Sequence, residues 1–161
     1  MIPYRYSDGG RSGYFRASEV GDCVPRALAI ATGQDYKVVY TALQKHQKAF
    51  SAGRSRAAVR ARGKSVRNGT AKGASDPYLE GLGWIWVSLL RPGQSWRVHV
   101  RADELPTEGR YVLVLSRHLT ALVDGVIHDI YDPSRDGTRM VYGVWCRPED
   151  LGKLWVPVPE E

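Results

Sequence analysis

Six short runs rich in β-branched and aromatic residues follow one another in the second half of this 161-residue chain. Turn-forming pairs separate several of them, among them Asp124-Gly125 and Asp136-Gly137. Runs of this length and composition between turn pairs are typical of antiparallel strands. The sequence therefore predicts strands over residues 84–90, 96–100, 111–116, 118–123, 126–131 and 139–145.

The first half of the chain carries helical patterns instead. Asp22 stands at the N-cap position of an apolar run that Gly33 closes, and a second helix is predicted over residues 35–50. A short third helix is expected to begin at Asp76-Pro77 and to end at Gly83. Helices followed by a meander of strands predict the α+β class, with N-terminal helices packed on an antiparallel β-sheet.

The length and the apolar content predict a single domain over residues 1–161 with one core, because hydrophobic residues make up 43% of the chain. No apolar run reaches the roughly 18–20 residues that cross a bilayer, and the N-terminus lacks the apolar region of a secretory signal. Cys23 and Cys146 are too few for a disulfide framework. We expect no membrane partner and a reducing, cytoplasmic setting in which a free thiol persists.

Positive charge is concentrated in one segment. Residues 36–75 contain ten Lys/Arg and no acidic residue, whereas the whole chain has a formal net charge of +6. We predict a basic loop or insertion at about residues 53–73, which either engages nucleic acid or an acidic protein or remains a solvated segment without a specific partner. The binding residues in the first case are Arg54, Arg56, Arg60, Arg62, Lys64 and Arg67.

Cys23 is the strongest candidate for chemistry. It stands in the first turn of the first predicted helix, where unpaired N–H groups and the helix dipole favour the thiolate. A structural cysteine gains nothing from this position, whereas a nucleophile does. His118, which begins a predicted strand 95 residues later, is the side chain expected to exchange a proton with the thiol.

The hairpin after His118 offers two carboxylates to orient the imidazole. A two-residue type I′ turn at Asp124-Gly125 places Thr120 opposite Asp129. Asp129 then shares a sheet face with His118 and lies diagonal to it. A three-residue loop shifts the register by one and places Asp132 opposite His118 instead. The Asp-Gly pair favours the type I′ turn, so Asp129 is the leading prediction and Asp132 the reserve.

Two segments carry a resemblance to a known group of proteins. GDCVPRALAIATGQDYKVVYTAL and GRYVLVLSRHLTALVDGVIHDIYDPSRDG, together with KSVRNG and YLEGLGW between them, resemble small phage- and prophage-type proteins regarded as papain-like cysteine peptidases. The second segment is also similar to the His-to-Asp-Pro hairpin of bacteriocin-leader peptidases, which favours Asp132, and to the shorter hairpin of NlpC-like cell-wall peptidases, which favours Asp129. The resemblance implies a papain-like fold and thiol-hydrolase chemistry, and it names no substrate.

One departure from that pattern concerns the oxyanion hole. Papain-like enzymes usually carry a Gln shortly before the Cys, whereas residues 17–21 read Ala-Ser-Glu-Val-Gly here. Backbone N–H groups at the start of the Cys23 helix are expected to serve instead, with Ser18 and Asp22 as the predicted oxyanion or substrate-binding side chains. Losing one such donor typically costs about a hundred- to a thousand-fold in rate.

Three functions follow from these residues. The leading one is a cysteine hydrolase that acts on a peptide, isopeptide or related amide bond of a peptide or protein substrate, through Cys23, His118 and Asp129 or Asp132. The first alternative is a weakly active or inactive papain-like module that binds through the basic segment, and the second is transglutaminase-like acyl transfer with the same triad. No cofactor is expected, and no metal either, because His128 with its neighbouring acids fits no standard ligand set.

Overall fold

The computed structural model describes residues 1–16, 21–90, 93 and 97–154. The predicted Ser18 therefore lies outside the described residues, as do Glu19 and the other residues between 17 and 20. The described helices are α1 (Cys23–Thr32), α2 (Tyr36–Ser51), α3 (Arg56–Ala61) and α4 (Lys72–Gly81), with short 3₁₀ turns at Arg11–Gly13 and Pro148–Lys153. None of the helices among these residues is long and apolar enough to cross a membrane.

The strands form one sheet of six and a separate pair. Their bounds are β1 (Tyr4–Tyr6), β2 (Ile85–Ser88), β3 (Val98–His99), β4 (Arg110–Leu115), β5 (His118–Val123), β6 (Val126–Asp129), β7 (Met140–Val141) and β8 (Gly143–Cys146). The six-stranded sheet has the order β1-β6-β5-β4-β8-β2, and β3 pairs with β7. The β1–β6 pairing is parallel, so the sheet is mixed and not antiparallel as predicted. The predicted α+β class is confirmed.

Two parts of the predicted order are wrong. The first predicted strand does not pair with its neighbour in sequence, because β2 lies at the sheet edge against β8. The last predicted strand is interrupted at Tyr142, whose N–H bonds to the Val114 carbonyl at 2.9 Å, and so becomes β7 and β8 in different sheets. Pairing across long connections depends on which apolar faces meet, and that information is not local to either run.

The helix predicted to start at Asp76-Pro77 begins earlier, at Lys72, and Pro77 lies inside it. A proline inside a helix removes one backbone hydrogen bond. Burial of Ala74, Tyr78 and Leu79 against the rest of the core offsets that loss, so tertiary packing decides the boundary and the local signal does not.

The basic segment is a folded part of the domain and not a simple loop. Residues 56–61 form α3, and Ala58 and Val66 are each 1% exposed. The buried Gln47 side chain on α2 donates to the carbonyls of Lys64 and Gly69 and accepts the Ala71 N–H at 2.7 Å. These contacts fix the path of the chain from α3 into α4, which brings residues 68–72 to the sheet.

The sheet is buried on both faces. Along β4 the side chains alternate, so that Val112 packs among the helices while Tyr111 and Leu113 pack under the β3–β7 ribbon. On the helical side α1 crosses β5, with Leu28 fully buried in between. The N-terminus of α1 is thereby held at the end of the sheet where β5 begins.

Candidate active site

The packing of α1 on β5 brings Cys23 to His118. Cys23 is the first residue of α1 and its side chain is half-buried. Burial raises the pKa of the thiol, but hydrogen bonding to the His118 ring and to the Leu119 N–H, together with the charges of His118 and Arg26, lowers it by more, so the pKa of Cys23 lies below its ordinary value.

His118 is the complementary member of the pair. Its side chain is 7% exposed, and its Nε2 lies 2.7 Å from Asp129 Oδ2. Because Nε2 is occupied by Asp129, Nδ1 is the nitrogen that remains for the thiol. Burial lowers the pKa of His118, but the bonds to Asp129 and Cys23 raise it by more, so the pKa of His118 lies above its ordinary value. The opposed shifts favour a thiolate–imidazolium pair.

The β5–β6 hairpin has the predicted register. Asp124 and Gly125 have φ of 47° and 78°, as a type I′ turn requires, and Val123 pairs with Val126. Continuing that register places Asp129 diagonal to His118 on one face of the sheet. The exposed Asp132 instead accepts the Ser134 N–H at 2.9 Å, so the three-residue loop that would bring it to His118 is not formed.

Further contacts fix the Asp129–His118 arrangement. Asp129 Oδ1 accepts the Ile130 N–H at 2.7 Å and lies 4.0 Å from Nη2 of Arg26. The centroid of the Tyr131 ring lies 5.2 Å from that of the imidazole, with an angle of 38° between the rings. A carboxylate held this way orients the imidazole and stabilises its charged form.

Asp22 has a different role from the one the sequence predicts. It precedes α1, but its side chain makes no cap hydrogen bond and is fully buried. Its oxygens contact Arg26 Nη1 at 2.6 Å, Arg11 Nε at 2.8 Å and the Tyr36 hydroxyl at 2.8 Å. Both carboxylate oxygens are thus engaged below the surface, where Asp22 positions Arg26.

Arg26 was not identified from the sequence as part of the site. It connects Asp22 to Asp129 and lies one helical turn after Cys23, with 5% exposure. The i,i+4 spacing of Asp22 and Arg26 is the sequence signal that could have identified it, since such pairs lie on one helix face.

The backbone at the start of α1 supplies hydrogen-bond donors. The first bond of the helix runs from the Arg26 N–H to the Asp22 carbonyl, and Pro25 has no N–H. The N–H groups of Cys23 and Val24 precede that bond and have no intrahelical acceptor. They are the groups that fit the expected backbone oxyanion hole.

A cleft of about 430 Å³ opens in front of the thiol. Its walls come from the α1 start, the first turn of α4, the segment between α3 and α4, and the β4–β5 turn. The lining residues are Gly21, Cys23, Val24, Asn68, Gly69, Thr70, Lys72, Ser75, Asp76, Val114, Leu115, Arg117, His118, Leu119 and Trp145. Residues 68–76 could not be assigned to the site from the sequence, because their position beside the thiol depends on the hydrogen bonds by which Gln47 holds this segment.

The six basic residues predicted to bind a partner have different surroundings. Arg54, Arg56 and Arg60 are exposed. Arg62 instead donates to the Ser51 and Gly53 carbonyls, both at 3.0 Å, and so closes the end of α2. Arg67 lies over the Phe15 ring at 4.6 Å from its centroid.

Lys64 lines a separate cleft of about 600 Å³ between α2 and the segment that follows α3. Lys45 and Lys48 line the same cleft. In the part of the chain that the structure describes, no cluster of His, Cys, Asp and Glu is suited to hold a metal ion.

Comparison with protein-family models, with curated proteins and with solved structures gives no match to this chain.

Proposed function

We propose that this protein is a papain-like cysteine hydrolase that cleaves a peptide, isopeptide or related amide bond. The observation that carries the proposal is the Cys23–His118–Asp129 arrangement, with opposed pKa shifts on thiol and imidazole and with Cys23 and His118 lining an open cleft. A cysteine at a helix start facing a histidine on the adjacent strand is the arrangement that papain-like chemistry uses.

The reaction follows from these groups. The Cys23 thiolate attacks the carbonyl carbon, and the N–H groups of Cys23 and Val24 stabilise the oxyanion that forms. His118 then gives its proton to the leaving amine as the C–N bond breaks, which leaves a thioester on Cys23. A water molecule, deprotonated by His118, hydrolyses the thioester and restores the thiol. The steps use no cofactor.

The setting that suits this chemistry is a reducing one, because the nucleophile must stay a free thiol. We place the protein in the cytoplasm on that ground, and in the host cytoplasm if the chain is phage-encoded. A peptide or protein is the substrate class that the open cleft accommodates.

A peptide vinyl-sulfone probe tests the proposal. The probe should label Cys23 covalently, as mapped by mass spectrometry of the digested protein, and Cys23→Ala should abolish the labelling. Reaction with a peptide ester should add the mass of the acyl group to the protein as a thioester on Cys23, and this added mass should be lost as water hydrolyses the thioester. Adding a primary amine separates hydrolysis from acyl transfer, since an amide product would identify a transferase. Absence of Cys23 labelling in the folded protein would overturn the proposal.

A second candidate function is favoured by a basic face, which consists of Arg54, Arg56 and Arg60 together with Lys45, Lys48 and Lys64. Arg54, Arg56 and Arg60 project from α3 and the loop before it without acidic neighbours in residues 36–75. The lysines that line the 600 Å³ cleft add to the same charge. Such a surface suits a polyanion, and nucleic acid is the partner we propose for it, with an acidic protein as the alternative outcome.

A further inference from the structure

Two basic side chains stand in the cleft that contains the thiol. Lys72 comes from the start of α4, and Arg117 comes from the turn between β4 and β5. Asp76 is the one carboxylate among the residues described as lining this cleft. The mechanism described above uses neither Lys72 nor Arg117, so their presence there requires another explanation.

Arg117 is held in an uncommon conformation. Leu115 pairs with His118, so Ser116 and Arg117 form the two-residue turn, and Arg117 has a φ of 55°. Residues other than Gly, Asn and Asp seldom adopt this left-handed region. The buried Arg139 donates to the Ser116 carbonyl at 2.7 Å and fixes the turn.

The guanidinium of Arg117 is exposed and makes no ion pair or hydrogen bond with the described part of the chain. It belongs to the residue directly before the catalytic imidazole. An anionic group bound beside the thiol would therefore find a cation without a competing internal partner.

Lys72 is held on another wall of the cleft. Its ammonium lies over the Trp86 ring at 5.0 Å from the centroid, and Trp86 packs against Trp145 at 5.6 Å. Asp76 follows one helical turn later, and burial raises its pKa despite the nearby Lys72. The residues described as lining the cleft thus include two cations, Lys72 and Arg117, and a single carboxylate, Asp76.

The remaining walls are largely apolar. Val24, Val114, Leu115, Leu119 and Trp145 line the same cleft. Apolar walls accept a hydrocarbon side chain, and a few placed charges fix its orientation. A ligand that matches both features carries apolar and anionic groups close together.

We propose that this cleft selects acidic substrates, in which an apolar residue and a carboxylate lie next to the scissile amide and the positive charges of Lys72 and Arg117 attract the carboxylate. The inference rests on the proposed cysteine-hydrolase function and adds its substrate class. Binding energy from the carboxylate positions the carbonyl over the thiolate, which is how groups remote from the reacting bond raise turnover.

A pair of small alkylating reagents tests the charge selection without any need for turnover. Iodoacetate and iodoacetamide form the same C–S bond with the thiolate and release iodide, but only iodoacetate is an anion. In the Lys72→Gln, Arg117→Gln double variant, the ratio of iodoacetate to iodoacetamide rates at Cys23 should fall about five-fold, since two nearby unit charges are removed. Lys72 is the first residue of α4 and Arg117 lies in a turn, so neither glutamine should disturb the packing.

Arg135→Gln is the matched control, because Arg135 is also an exposed arginine with positive φ, at 50°, and lies outside the cleft. It should leave the ratio unchanged. If the ratio is unchanged in the double variant and Cys23 still reacts faster than Cys146, the acidic specificity is overturned and the proposed hydrolase is not. Equal reactivity of the two cysteines would instead overturn the proposed hydrolase.

A second measurement uses peptide aminocoumarin pairs that differ only by Glu or Gln beside a leucine. The parent protein should show the higher kcat/KM for the Glu peptide, and the double variant should lose that preference. Equal kcat/KM for both peptides in the parent protein would contradict the proposal.

Discussion

Cys23 and Cys146 show how position decides the chemistry of one residue type. Burial raises the pKa of both thiols, and for Cys146 nothing opposes it, so its pKa is raised to about 11. For Cys23 the imidazole, a backbone N–H and the charges of His118 and Arg26 reverse the effect. The difference lies in the partners that β5 brings to the start of α1, because burial raises the pKa of both thiols and only Cys23 has partners that lower it.

The first prediction is that Cys23 alkylates at mildly acidic pH, where an ordinary thiol of pKa about 8.5 is almost wholly protonated. Iodoacetamide rates at each cysteine, followed by mass spectrometry between about pH 5 and 8, provide the measurement. Cys146 serves as the internal control and should stay unmodified until the protein unfolds. Equal rates at both cysteines across this range would contradict the Cys23–His118 pairing.

The second prediction concerns Asp129. The thiolate–imidazolium pair exists above the lowered pKa of Cys23 and below the raised pKa of His118. Asp129→Asn removes the carboxylate that raises the pKa of His118, so the alkaline limit of the pair moves to lower pH. The loss of imidazolium also weakens the stabilisation of the thiolate. Turnover should fall by about four orders of magnitude, as for triad aspartates.

Asp132→Asn is the matched control for this experiment, since Asp132 contacts the Ser134 N–H and not the imidazole. It should leave both the pH profile of Cys23 alkylation and the turnover close to those of the parent. Identical profiles for all three proteins would mean that neither carboxylate orients His118.

At the scale of elements, local signals predict the hairpin well and the longer pairings poorly. Asp124-Gly125 determines a type I′ turn by itself, which is why the register that joins His118 to Asp129 could be predicted. The pairing of β2 with β8 could not, because it joins strands separated by more than fifty residues. The walls of the cleft from residues 68 to 72 could not be predicted either, because their position depends on the hydrogen bonds of the Gln47 side chain.

The third prediction uses two glycines of α4. A Cβ at Gly73 would overlap the Phe50 ring, whereas a Cβ at Gly81 meets no atom within 4 Å. Gly73→Ala should therefore destabilise the protein by about 1–3 kcal/mol through overpacking. Gly81→Ala should instead stabilise it by up to about 1 kcal/mol, because alanine favours the helix. Urea unfolding of both variants measures the two free energies, and changes of the same sign would contradict the Phe50 contact.

At the scale of the whole molecule, a buried charge network links the N-terminal segment, α1 and β6. Arg11 and Arg26 both contact Asp22, and Arg26 continues to Asp129. Through Asp129, the network connects the N-terminal segment and α1 to the His118 imidazole. Under the proposed function, Asp22 acts through the position of Arg26, because its buried oxygens contact Arg26, Arg11 and Tyr36.

The fourth prediction is that Asp22→Asn destabilises the fold by about 3–5 kcal/mol, because it leaves two buried guanidinium groups without their carboxylate. Denaturant unfolding gives the free energy. Asp103→Asn is the control, since its partner Arg101 is 51% exposed and the pair is on the surface, and its unfolding midpoint should barely move. Equal stability of the Asp22 variant and the parent would show that the network is not needed for folding.

The fifth prediction concerns the uneven charge of the molecule. Residues 36–75 carry ten cationic side chains, so the rest of the chain has a net charge of −4 when the total is +6. If the exposed arginines bind nucleic acid, affinity measured by fluorescence anisotropy with a labelled DNA duplex should fall steeply with salt. The slope of log K against log salt changes by about 0.9 for each phosphate that the protein neutralises. The Arg56→Ala, Arg60→Ala double variant should therefore lower the slope by about two.

Arg5 and Arg135, also exposed but outside the basic segment, provide the matched double variant, which should bind as the parent does. Absence of binding to DNA at low salt, with binding to an acidic polypeptide instead, would assign the basic face to a protein partner, because a flexible acidic chain offers the same charge without the phosphate spacing of a duplex.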